Sequence, residues 1–101
     1  MKVSSRELNN GVIAFLGFGV DKFPHEHREK LITEFGAGKA GVIESEIISL
    51  LNESNQIPID WTRHSLASAG SYVIERIREV HPELSERALN AIAWKFTFDW
   101  R

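Results

Sequence analysis

The chain has 101 residues, 43% hydrophobic and 26% charged, a net charge of −2 and no cysteine. That length supports one domain able to bury roughly two-thirds of its unfolded surface, and the composition excludes a disordered polymer. The missing thiols exclude disulfides, thiolate nucleophiles and cysteine-based metal centres, and the acid excess disfavours a domain that binds by neutralising phosphates.

Val3 to Leu8 opens the first predicted helix. Ser4 with Glu7 three residues on makes a capping box, and Val3 with Leu8 a hydrophobic staple. Leu8, Val12, Phe15 and Leu16 then share one helical face, although Asn9-Asn10-Gly11 threatens an early end. Pro24 suits the first turn of a second helix, on which Phe23, His27, Leu31 and Phe35 recur every fourth residue, and Gly36 stands where a left-handed stop is expected. The third helix is predicted over about 40–52 with Ile43, Ile47, Leu50 and Leu51 inward. A polar break follows, and Ile57-Pro58-Ile59 is extended because the residue before proline is pushed out of the helical region.

Asp60 is the expected cap of a fourth helix running to about Val80, with a stripe of Leu66, Ala69, Gly70, Val73, Ile74 and Ile77. Ser85, with a Leu84 to Leu89 staple, opens a fifth carrying Ala88, Leu89, Ile92, Ala93 and Phe96. At its end Trp94, Phe96, Phe98 and Trp100 alternate with Lys95, Thr97 and Asp99, the period of a half-buried strand. The expectation is an all-α fold, a single compact bundle of about five helices over residues 1–101, with a short C-terminal strand as the alternative.

Several motifs invite chemistry. Gly36-Ala37-Gly38-Lys39-Ala40-Gly41 matches the G-x-G-x-x-G dinucleotide fingerprint, with Asp60 where a ribose-binding acid would stand. The fingerprint needs a buried strand before it and a second strand ending at the acid. The residues before Gly36 continue a helical pattern, and Pro58 interrupts the second candidate strand. The motif is read as a helix stop and joint, and no nucleotide cofactor is expected. His25-Glu26-His27 offers metal-ligand types, but on the helix predicted from Pro24 residues two apart face different ways, so no metal site is expected. Asp60, His64 and Ser65 or Ser68 supply the letters of a hydrolytic triad without a nucleophile turn or oxyanion donors, and no catalytic residue is assigned.

What remains is a surface. Residues 40–62 contain no Lys or Arg, and Glu44, Glu46, Glu53 and Asp60 give them a charge of −4. Trp61, Trp94 and Trp100 are more aromatic area than a small core needs, and exposed aromatics anchor protein interfaces. These seven residues are the expected partner-binding set. The function they suggest is a small protein-binding inhibitor facing a basic partner, a class that includes bacterial immunity proteins that neutralise toxin domains. The alternative is a helical regulatory or nucleic-acid-binding module using Arg63, Arg76, Arg78 and Arg87, with Lys95 and Arg101 beside the terminal aromatics. Nucleic acid is disfavoured by the acid balance, and homo-oligomerisation through the aromatics is a further expectation. The apolar run from Val12 to Val20 follows Lys2 and Arg6 but has Glu7 in the would-be basic region of a signal peptide. No stretch has the roughly 18 apolar residues of a membrane span, so no membrane partner and a cytoplasmic location are expected.

Overall fold

Two reciprocal hydrogen bonds set the start of the first helix. Ser4 Oγ accepts from the Glu7 N–H at 3.1 Å, and Glu7 Oε1 accepts from the Ser4 N–H at 3.1 Å, satisfying two helix-end donors that would otherwise lack partners. The computed structural model describes residues 3–100, so Lys2 and Arg101 lie outside the described residues. Helix α1 (Ser5–Leu16) runs through Asn9-Asn10-Gly11 without a break. Gly11 is buried there because α3 crosses it closely, and Asn9 is tied across to the start of α5.

Gly17 ends α1 in the left-handed conformation, φ 76° and ψ 25°, with its N–H on the carbonyls of Ile13 and Ala14. The second helix does not begin at Pro24. Helix α2 (Arg28–Phe35) starts after His27, and Pro24 is a buried residue of the connecting loop. The cause lies outside the local pattern: the His25 and His27 N–H groups donate to the Leu16 and Phe15 carbonyls at 3.1 and 2.8 Å. These bonds hold residues 25–27 against the end of α1, so this stretch does not coil on itself.

Gly36 alone joins α2 to α3 (Ala37–Asn55). Its φ of 87° is positive, as a stop there requires, but its ψ of 153° lies outside the αL region, so the expected left-handed stop is corrected to a glycine-only kink. The third helix begins three residues before Ala40, which puts Gly38 and Gly41 inside helix, and it continues past Asn52. Ala40, Ile43, Ile47, Leu50 and Leu51 are buried along it.

Asp60 does not cap a long helix. Its Oδ1 accepts from the Thr62 N–H at 3.1 Å and Thr62 Oγ1 at 2.6 Å, closing a single turn. Ser65 is the N-cap instead, its Oγ accepting from the Ser68 N–H, and α4 runs Leu66–Val80. Ala69, Gly70, Val73 and Ile77 are buried on it. A Cβ on Gly70 would meet Thr97 Cγ2 at 3.0 Å, so this glycine sets how closely α4 lies on α5.

Helix α5 (Glu86–Trp100) is continuous, and no strand occurs among the described residues. A Lys95 to Asp99 ion pair at 2.7 Å braces its last turns. Helical geometry spreads the alternating aromatics around the axis: Phe96 is buried, Trp94 and Phe98 are half-buried, and Trp100 is exposed. The described residues thus form an all-α bundle of five helices, with α1 against α2, α3 and α5, and α5 also against α3 and α4. Phe15, Phe96, Leu31, Ile43, Ile47 and Ile92 fill its core. No helix among the described residues is long and apolar enough to cross a membrane.

Candidate functional site

The fold brings together two of the seven expected surface residues that lie far apart in the chain. Trp61, from the turn closed by Asp60, sits 6.1 Å between ring centroids from Trp100, and Trp100 rests 6.0 Å from Phe96 one helical turn earlier. The two indoles remain 43% and 49% exposed while Phe96 beneath them is buried. They form an outward aromatic pair seated on the core. Asp60 is the adjoining acid, and its bonds from Thr62 hold its carboxyl below the usual range, so it is charged at neutral pH. Arg63 lies 3.5 Å from its other oxygen.

Trp94 belongs elsewhere. Six residues before Trp100, it points about 120° away around the helix. Its ring packs 5.5 Å from Phe18 and, with Lys22, Phe23, Leu66 and Phe98, borders a surface hollow of about 270 Å³.

The acids do not form one face. Glu44 lies on the flank of α3 that meets α2, where Arg28 Nε stands 2.9 and 3.0 Å from its two oxygens. Glu46 is exposed and two residues on, hence on the other side of the helix. Glu53 is two turns further along the Glu46 stripe, and His81 Nε2 contacts its oxygens at 3.0 and 3.1 Å, tying the end of α3 to the end of α4. Beside it lies a hollow of about 300 Å³ bordered by Gln56, Pro58, Arg76 and Val80. No family model matches the chain, and neither does any curated protein or solved structure.

The cations of the alternative reading are also engaged. Arg78 bridges Glu75 and Glu86 at 2.6 Å each, Arg76 lies 3.2 Å from Glu79, and the Arg87 guanidinium stands over the Phe18 ring. Of the triad letters, His64 Nδ1 is 3.1 Å from Ser68 Oγ, but the Asp60 carboxylate is directed to Thr62 and Arg63. Those serines act at the start of α4, with Ser68 Oγ donating to the Ser65 carbonyl.

The histidine pair is placed differently from the expectation. His25 and His27 lie outside any helix, and their ring centroids are 5.4 Å apart. Asp21, not considered in the motif, joins them: its Oδ2 is 3.3 Å from His25 Nδ1 and in direct hydrogen-bond contact with His27 Nε2. On its far side His27 Nδ1 meets Glu29 at 3.0 Å. Asp21 and then Glu29 push the His27 imidazole above its ordinary pKa, and His27 in turn lowers that of Asp21. The sequence signal for this cluster is Asp21 four residues before His25, which a helix beginning at Pro24 would keep apart from His27.

Proposed function

We propose that this chain is a small protein-binding inhibitor that occupies a basic surface of another protein, as an immunity protein neutralises a toxin domain, with Trp61 and Trp100 as its anchors. The single observation that carries this reading is the exposed Trp61–Trp100 pair, assembled from two distant segments over buried Phe96. Large rigid aromatics gain much on desolvation and lose little side-chain entropy, which is why a few of them dominate binding energy in many interfaces. Asp60 beside them, exposed and paired with the still more exposed Arg63, can turn to a cationic partner, and exposed Glu46 adds to the field that steers encounter. Glu44 and Glu53 are already paired within the bundle and serve the fold first.

The test is affinity capture from the native host lysate with the wild-type chain and with W61A/W100A. Stoichiometric recovery of one basic protein by the wild type, lost with the double variant, supports the reading. Equal capture by both chains removes the anchors from it. Light scattering that finds a dimer dissociated by W61A/W100A would replace the inhibitor with a self-associating protein. Salt-dependent binding to DNA or RNA would favour the regulatory alternative.

A further inference from the structure

The loop between α1 and α2 places two imidazoles and a carboxylate around one point. Asp21, His25 and His27 each offer a ligand atom, all within 4.8 Å of one another, and they are the one such group of three among the described residues. Tetrahedral zinc with bonds of about 2.0–2.1 Å spaces its ligand atoms about 3.3 Å apart. The Asp21 Oδ2 to His25 Nδ1 separation is 3.3 Å, whereas His27 Nε2 is in direct hydrogen-bond contact with the same oxygen and draws back when an ion takes the place of the proton between them.

The backbone of all three residues is pinned. The N–H groups of Asp21, His25 and His27 donate to the carbonyls of Gly17, Leu16 and Phe15 at 2.8, 3.1 and 2.8 Å. The last two carbonyls of α1 and that of its cap Gly17, which no further helical turn satisfies, are thus used to hold the three ligand residues. Gly17 makes room for the carboxylate as well, since a Cβ there would lie 2.1 Å from Asp21 Oδ2. The orientation of His27 is set from behind: Glu29 engages Nδ1, which leaves Nε2 to face Asp21 and His25. A carboxylate on the far nitrogen of a ligating histidine is the usual outer-shell support of a metal site.

We propose that Asp21, His25 and His27 bind a divalent first-row transition ion of the zinc class. Two imidazoles and one carboxylate are the donor set such ions favour, and the absence of thiolate disfavours the softer monovalent ions. The His25 side chain is 56% exposed against 22% and 21% for Asp21 and His27. The site therefore opens to solvent on the His25 side, and its remaining coordination position is taken by water or by a donor from a second molecule. The ion links the loop at residues 21–27 to the end of α1 and stabilises the folded chain by mass action.

Zinc chloride is titrated calorimetrically into the untagged full chain at neutral pH in a non-chelating buffer, and cobalt(II) absorption is followed in parallel. The wild type is expected to take up one equivalent with a d–d spectrum of low coordination number. H25A, which removes the most exposed of the three ligands, should lose at least tenfold in zinc affinity, and E29Q should weaken binding by about tenfold or more through the outer shell. H64A and H81A should bind as the wild type does. Circular dichroism and the urea midpoint establish that each variant is folded. No heat and no spectral change at millimolar metal, H25A binding equal to the wild type, or a loss that follows His64 or His81 would overturn the site.

Discussion

Gly11 and Ile43 are in such close register that a Cβ on Gly11 would lie 2.8 Å from Ile43 Cγ2. This contact sets the approach of α1 to α3 at the middle of the core. Alanine at this position gains about 1 kcal/mol of helix propensity, but the methyl of a β-branched side chain cannot swing away, and overpacking costs about 1–3 kcal/mol. G11A is therefore expected to lower stability by roughly 1 kcal/mol, read as a fall in the urea midpoint. A rise in midpoint would show that α1 and α3 separate at little cost.

The three glycines of the fingerprint-like stretch should respond in opposite directions. Gly36 adopts φ 87° and ψ 153° between two helices, a conformation open in practice only to glycine, so G36A is expected to cost about 1–3 kcal/mol. Gly38 and Gly41 lie in α3 with open space where a Cβ would stand. G38A and G41A should each raise stability by about 0.5–1 kcal/mol. Destabilisation by G41A would show that α3 has no room for a Cβ at that position. Thermal melts of the three variants decide it.

The features legible from sequence were those whose causes are local. The Ser4 capping box, the stripes of α3 and α4 and the cap at Ser85, whose Oγ accepts from the Ala88 N–H, follow from spacing within one or two turns. The start of α2 was missed because the decisive bonds run from His25 and His27 back to Leu16 and Phe15. The Asp21 cluster is invisible to helical spacing for the same reason, since residues 25 and 27 take opposite faces only in a helix, and no helix forms there. For the aromatics, sequence supplied the types but not the sorting. Only the packing of the turn at Trp61 against the end of α5 separates the Trp61–Trp100 pair from Trp94.

Asn9 closes α1 onto the segment before α5. Its Oδ1 accepts from the Ser85 N–H at 2.9 Å and its Nδ2 donates to the Glu83 carbonyl at 3.1 Å. One amide thus satisfies a donor and an acceptor of a loop that has no neighbouring strand or helix to pair with. N9A should cost about 1–2 kcal/mol, the worth of two hydrogen bonds of about 0.5–1.5 kcal/mol each at a half-buried site. N9D keeps the acceptor, loses the donor and should fall between N9A and wild type. Equal stability of N9A and wild type in chemical denaturation would mean that water replaces the clasp without loss.

Lys39 and Glu7 join the first turn of α3 to the first turn of α1 at 2.6 Å. Lys39 first, and then the Ser4 N–H, hold the Glu7 carboxyl below its ordinary value of 4.5. A carboxyl whose folded pKa is depressed contributes stability that is present above its unfolded value and is lost as pH falls through the folded one. Relative to E7Q, the wild type is therefore expected to be the more stable above about pH 5, with the advantage shrinking from about pH 4.5 downward until the two converge in acid. Glutamine preserves the capping box, so the comparison isolates the charge. Asp21, Glu29 and Asp60, which are also held below their ordinary values, titrate in both chains and cancel. Because the pair is partly exposed, added salt should narrow the difference at neutral pH. Urea midpoints of both chains across the acid range test this, and parallel curves would remove the Lys39 ion pair from the acid stability of the fold.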